Sequence, residues 1–208
     1  MSEPEPRTVV DPTTGRPILM APKRQRRPMH TGSNPTDKRC PFCSGHEADT
    51  PPELDAVRAD GTAKDTPGWS VRAFDNLYPA TPRHEVIAEG PAHAEHPSAL
   101  DAATLADAVS VWQRRITALE SSPDIACAYW FKNVGARAGA SIAHNHSQII
   151  GLDILPPRLE LERGQQLRPH NVPCRAVLST YGLGRRGAHR CRRVEERGTD
   201  LGHRCVAA

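Results

Sequence analysis

The stretch RCPFCSGHE, Arg39 to Glu47, sets the tightest limit on what this chain can fold into. Cys40 and Cys43 form a C-x-x-C pair with Pro41 inside it and Ser44-Gly45 directly after it. A redox pair of this spacing normally follows a strand and opens a helix. The proline and the Ser-Gly that follows suit a metal knuckle better. One such pair is half of the four ligands a tetrahedral site needs. Two more must come from elsewhere, so the fold has to bring a distant segment against the knuckle. The chain has ten histidines. Of these, His84, His93, His96, His144 and His146 lie in its well-patterned region.

The second informative stretch is GASIAHNHSQII, Gly139 to Ile150. In a strand, alternate residues share a face and lie about 7 Å apart. His144, His146 and Gln148 are then expected on one face, with Ile142 continuing the line and Ile149 opposite. Taken alone, this is a half-exposed polar face. Beside a C-x-x-C, one histidine can complete a metal site while its neighbour is left for chemistry.

The remaining pattern indicates an α+β fold. WSVRAFDNLY (69–78) predicts a strand running into a turn, and HEVIAEG (84–90) a second strand. ACAYWFKNV (126–134) has the β-branched and aromatic content of a buried strand. Leu105, Val109, Trp112, Ile116 and Leu119 recur at spacings of three and four, which predicts one apolar helix face. Asp101 is the expected N-cap, and Pro123 lies just past the helix end. Eight of the nine aromatic residues fall between Phe42 and Phe131, which places the best-founded core there.

The chain's 208 residues allow one large domain. Its 20 prolines are about twice the usual share, many in loops and near the ends. A net charge of +3 is too small and dispersed to argue for nucleic acid. No apolar run is long enough to span a membrane. The acidic, polar start MSEPEPRTVV shows no secretory signal. A soluble, cytoplasmic protein is therefore expected, with its six cysteines as thiols or ligands before disulfides. APKRQRRPMHTGS (21–33) is a basic loop, read as a solvated arm or a phosphate grip. Residues 166–208 are rich in arginine and cysteine without any period, and are expected to form an irregular, poorly ordered tail.

Taken together, these stretches resemble the galactose-1-phosphate uridylyltransferases, the transferase branch of the histidine-triad superfamily. AHNHSQII is similar to the family's H-P-H-[GS]-Q motif. APKRQRRP resembles its basic N-terminal loop, RCPFC its zinc knuckle and VRAFDNLYPA its uridine-side loop. HEVIAEGPAH is similar to the strand ending in a zinc-ligating histidine, and FKNVGARAGASIAHNHSQ to the segment entering the active site. Order and spacing agree from about residue 8 to residue 162. The resemblance implies a histidine-triad-like antiparallel sheet with one long helix, occupying residues 1–165 as an N-terminal domain.

By the same resemblance, zinc would be held by Cys40, Cys43, His93 and His144. His146 would be the nucleophile and Gln148 would bind the transferring phosphoryl group. Asn76, Asn133 and Ser141 would contact the nucleotide, with Arg24 and Arg27 near its phosphates. The implied reaction moves a uridylyl group between UDP-glucose and a hexose 1-phosphate, as in galactose metabolism, through a uridylyl-histidine. Two other readings stay open: an adenylyl-transferring phosphorylase of the same superfamily, and an inactive zinc-stabilised nucleotide-binding module.

The chain departs from the family pattern in two places. Asn145 stands where the family has proline, and asparagine does not fix φ as proline does. The family also has two similar halves, and this chain matches only the first. A homodimer, or a separate chain, would have to supply the second. Glu162 sits where some members place an acidic ligand for a second metal.

Overall fold

The computed structural model describes residues 4–26 and 39–166. The expected irregular tail lies outside these residues, apart from Gln166. Arg27 and most of the basic loop lie outside them too. The chain divides between Leu155 and Pro156 into two units. The second contains α2 (Pro157–Gln166), opened by a proline at its first position and carrying an Arg158–Glu162 pair one turn apart at 2.9 Å.

The first unit is organised around three central strands. β4 (Trp69–Asp75), β5 (Arg83–Glu89) and β7 (His146–Leu152) form its centre. They are flanked by β3 (Glu53–Arg58) and β6 (Cys127–Phe131) in the antiparallel order β3-β4-β5-β7-β6. A hairpin of β1 (Arg7–Val10) and β2 (Pro17–Met20) forms a separate two-stranded sheet. In its turn, Asp11 accepts bonds from the Thr13 amide and from both the Thr13 and Thr14 hydroxyls. Neither this hairpin nor β3 has a strong alternating apolar signal.

One face of the large sheet is covered by α1 (Ala102–Glu120). Val71, Ala73, Ile87 and Ile149 pack there against Ala108, Val111 and Leu119. Asp101 caps the helix, accepting from the Thr104 amide at 2.7 Å. The helix runs where its spacing predicts, but the buried stripe is rotated. Leu105 and Val109 are exposed, while Ala108 and Val111 are fully buried. Small residues let the helix sit close to the sheet, and the bulkier Trp112 and Ile116 then flank the contact. β6 also differs from the buried strand expected. It is an edge strand, and Tyr129 and Trp130 stay 46% and 37% exposed.

A buried ion pair ties α1 to the sheet. Arg115 grips Glu85 with two bonds of 2.7 and 2.8 Å, and Glu85 is almost inaccessible to solvent. Breaking one side of such a pair leaves an uncompensated charge. Arg115→Met should therefore cost about 3–5 kcal/mol in chemical denaturation. Adding Glu85→Gln should recover much of that loss. If Arg115→Met is silent, the pair is not what fixes the helix.

The opposite sheet face carries the site. Phe74, Val86, Ala88, His84, His146 and Gln148 share it through the register Phe74↔Val86, Val86↔Gln148 and Ala88↔His146. The knuckle folds over this face, burying Cys40 and Phe42 against Phe74, Val86 and Ala88. With both faces covered, every residue of β7 is buried.

Candidate functional site

Cys40, Cys43, His93 and His144 meet at one point, with their ligand atoms all within 4.8 Å of one another. His144 Nδ1 lies 3.6 Å from each thiol sulfur, and His93 Nδ1 lies 3.6 Å from Cys43 Sγ. A tetrahedral ion with ordinary zinc–sulfur and zinc–nitrogen bonds would hold S and N about 3.5 Å apart. The donor set and its spacing thus fit a metal ion.

The surroundings orient these ligands. His144 Nε2–H donates to the Gly90 carbonyl at 3.0 Å, which turns the Nδ1 lone pair toward the sulfurs. Gly90 has φ +92°, and a Cβ there would come within 3.0 Å of Leu100, so the backbone that presents this carbonyl calls for glycine. Burial pulls the His144 imidazole down to about 4, keeping it neutral at pH 7, as a ligand must be. Burial, then the neighbouring Cys40, pushes the Cys43 thiol up to about 12. A cation among these groups would reverse that preference.

Beside the cluster, a cleft of about 170 Å³ opens onto the sheet face. Phe42, Phe74, Val86 and Ile142 form apolar parts of its lining, and Asn76, Ser141, His146 and Gln148 are polar. Phe42 joins the two regions, with its ring centroid 6.1 Å from that of His144 and 5.3 Å from that of His146. His146 Nδ1–H donates to the His144 carbonyl at 2.6 Å. A carbonyl can only accept, so Nδ1 carries a proton, and in the neutral ring the lone pair is on Nε2. Such an arrangement suits a nitrogen nucleophile whose other ring atom is held in place.

Residues 54–156 match the galactose-1-phosphate uridyl transferase N-terminal domain. The chain is galactose-1-phosphate uridylyltransferase-like, and it corresponds to the N-terminal half. The relatives fall on both sides of the base question. An ADP-glucose phosphorylase from Arabidopsis thaliana is 33% identical over 175 residues, 71% of this chain and 48% of the relative. A galactose-1-phosphate uridylyltransferase from Thermotoga maritima is 26% identical over 186 residues, 85% of this chain and 57% of the relative. Among solved structures, the Arabidopsis thaliana ADP-glucose phosphorylase with bound ADP-glucose is 32% identical with a TM-score of 0.52, covering 75% of this chain and 51% of that one. A GALT-like protein from the same plant is 28% identical with a TM-score of 0.58, covering 84% and 57%. The chain spans about half the length of these relatives. Its α+β fold, an antiparallel sheet with one long helix, is the one the family resemblance implied.

For a galactose-1-phosphate uridylyltransferase-like domain, most of the expected site residues converge. Asn76, Ser141, His146 and Gln148 line the cleft, and the four Cys/His ligands sit beside it. Arg24, in the short 3-10 turn Pro22–Arg26, donates to the Tyr78 carbonyl at 3.0 Å and so stands at the Asn76–Tyr78 loop. Asn133 lies just past β6, half-buried, and is not among the cleft's lining residues. His96 caps the short turn Pro97–Ala99, accepting from the Ser98 amide. Glu162 pairs with Arg158 in the second unit. Among the described residues, Cys40, Cys43 and Cys127 are free thiols. No described helix is long and apolar enough to cross a membrane.

The H-x-H segment corrects one expectation. His144 is not in the strand with His146 and Gln148, because β7 begins at His146. Before it, the Asn145 carbonyl accepts from the Glu89 amide at 3.0 Å and the Asn145 amide donates to the Ala94 carbonyl at 2.6 Å. His144 reaches the thiols and His146 faces the cleft, both on the side of the sheet that Phe42 covers.

Asn145, in place of the family's proline, does not loosen this segment. Its Nδ2 donates to Glu89 at 3.0 Å, and Glu89 also accepts from Lys132 and from Trp112 at 3.1 Å. A side-chain bond and a backbone N–H that proline lacks take over from the ring constraint. Asn145→Ala removes the Glu89 bond but also a buried Oδ1 with no hydrogen-bond partner. The net cost should fall near the low end of the usual range, about 1 kcal/mol. Thermal unfolding measures it, and a stabilised variant would show that the amide contributes nothing to holding the segment.

Proposed function

We propose that this chain is the nucleotidyl-accepting half of an enzyme acting on nucleoside-diphosphate sugars, with His146 as the nucleophile. The observation that carries this is the His146 tautomer, with Nδ1–H anchored on the His144 carbonyl and Nε2 as the basic nitrogen. Nε2 would attack the α-phosphorus. The bond from that phosphorus to the bridging oxygen breaks, and sugar 1-phosphate leaves with the electron pair. The proton stays on Nδ1, where the carbonyl offsets the charge the ring gains. A second phosphate nucleophile then takes the nucleotidyl group and regenerates the imidazole.

The chain's other residues bind and orient. Gln148 donates to a non-bridging phosphoryl oxygen without adding charge. Asn76 and Ser141, which line the cleft, contact the nucleotide, and Arg24, at the Asn76–Tyr78 loop, stands toward its phosphates. Cys40, Cys43, His93 and His144 hold zinc, supported by the donor chemistry and the 3.6 Å spacings. Zinc bound there would supply rigidity to the segment that carries His146.

The base and the second acceptor remain two readings. Uridylyl transfer to a hexose 1-phosphate follows the family's name and the bacterial relatives. Adenylyl transfer to inorganic phosphate follows the relative of higher identity. That identity favours the adenylyl reading, which is preferred here over the uridylyl one expected from the sequence. Incubation with UDP-glucose and ADP-glucose in separate reactions tests both, with quenching that preserves phosphohistidine. The mass increase on the chain identifies the group transferred. Adduct only from UDP-glucose restores the uridylyl reading. Binding of either nucleotide sugar without adduct supports the inactive module.

A further inference from the structure

Behind Gln148 lies a fully buried histidine that binds no metal ligand and has no part in the steps above. His84 is 2% exposed and points to the same sheet face from β5. We propose that His84 is a positioning residue that fixes which end of the Gln148 amide faces the cleft, a role that rests on the nucleotidyl-transfer reading of His146.

The hydrogen-bond directions leave one consistent assignment. The Ala80 backbone N–H lies 2.9 Å from His84 Nδ1 and can only donate, so Nδ1 is an acceptor. A ring that accepts at Nδ1 carries its proton on Nε2. His84 Nε2 is 2.9 Å from Gln148 Oε1, so it donates there and the near atom of the amide must be oxygen. Asn76 agrees with this. Its Oδ1 accepts from the Tyr78 amide at 2.8 Å, so its Nδ2 is a donor; Nδ2 lies 3.3 Å from His84 Nε2, which already carries a proton, and 3.5 Å from the Gln148 oxygen, the acceptor left to it. With Oε1 committed behind the sheet face, the Gln148 NH₂ is the end left to donate into the cleft.

The direction matters chemically. A phosphoryl oxygen needs a donor, and a flipped amide would present a second acceptor to it. A glutamine side chain pays little to rotate by half a turn unless neighbours distinguish its two ends. His84 is that discriminator. Its own tautomer is set by a backbone amide in the Asn76–Ala80 turn, so the orientation is written into the fold rather than induced by ligand.

Two measurements test this. In wild-type protein with ¹⁵N-labelled histidine, the His84 ring should show the neutral, Nε2-protonated pattern. A ring protonated on Nδ1 overturns the proposal, whatever the protein's activity. Then His84→Phe, Gln148→Leu and the double variant are compared for the rate of adduct formation with the reactive nucleotide sugar. Misplacing the amide should slow His84→Phe by about 10²-fold, with metal content unchanged. Because His84 acts through Gln148, adding His84→Phe to Gln148→Leu should slow it by less than about threefold more. Full multiplication of the two effects overturns the proposal and makes His84 a merely structural residue. If wild type forms no adduct with either nucleotide sugar, it is the nucleotidyl-transfer reading that fails, and the ring tautomer still decides the His84 assignment.

Discussion

His146→Gly should keep its metal and its fold and lose all nucleotidyl adduct. The side chain faces the cleft, and the side-chain bond that defines its tautomer runs to a carbonyl two residues away. Glycine in a strand costs about 1 kcal/mol, well within what a folded domain tolerates. The cluster beside it is untouched, because Cys40, Cys43, His93 and His144 can supply four ligands without His146. Loss of an obligate nucleophile costs several orders of magnitude, whereas loss of one hydrogen-bonding group such as Gln148 costs about 10²–10³. Adduct formation is the right measure. The chain spans about half the length of its relatives, and a complete turnover draws on whatever accepts the nucleotidyl group. An adduct on another residue, or an undiminished one in the glycine variant, sinks the mechanism.

What made this site legible was its chemistry-bearing residue types. Cysteine and histidine at metal spacing are rare enough that C-x-x-C and H-x-H point to each other across about a hundred residues. Period two then placed His146 and Gln148 together correctly, since β7 is a regular strand from His146 onward. His144 lies just before β7, yet it shares the Phe42 ring with His146 on the knuckle face as period two expects, while Asn145 between them bonds Glu89 and Ala94. Nothing local in the sequence announces those partners.

Helix α1 shows a similar limit. Spacing located the helix and its cap, but the buried stripe is rotated onto Ala108 and Val111, and the exposed Val109 and buried Val111 show that residue type alone does not tell which side packs. ACAYWF carries the composition of a buried strand, yet strand order puts it at the edge, and order is set by the whole topology. His84 was visible only as one of several histidines. Its partners Ala80 and Gln148 come together through a turn and a strand pairing that periodicity does not encode.

Cys40→Ser should unfold or severely destabilise the domain, through lost metal rather than lost packing. Structural zinc sites contribute about 10–16 kcal/mol of apparent binding energy at neutral pH, comparable to or above the whole stability of a typical domain. A serine hydroxyl is a poor substitute ligand, while its volume is close to that of cysteine, so the packing change is small. The position amplifies the effect. Cys40 is buried in the cluster of Phe42, Trp69, Phe74, Val86 and Ala88, and losing its ligand bond releases the knuckle that covers the cleft. His93 is exposed, so His93→Ala should lower metal affinity with a smaller loss of fold.

Proton linkage gives an independent check on the Cys40→Ser prediction. The Cys43 thiol, held near 12 by burial and its partner, is protonated at pH 7 until a cation takes its place. Metal affinity of the wild type should therefore rise with pH and be lost on acidification. Without metal, His144 adds an acid sensitivity of its own. Its folded value of about 4 lies below the ordinary imidazole value of 6.5, so the unfolded chain binds the extra proton. Stability of the metal-free protein is then retained above about pH 6.5 and falls as pH drops toward 4. Elemental analysis and thermal unfolding of Cys40→Ser decide the matter together. Full metal occupancy with an unchanged melting temperature would remove Cys40 from the ligand set.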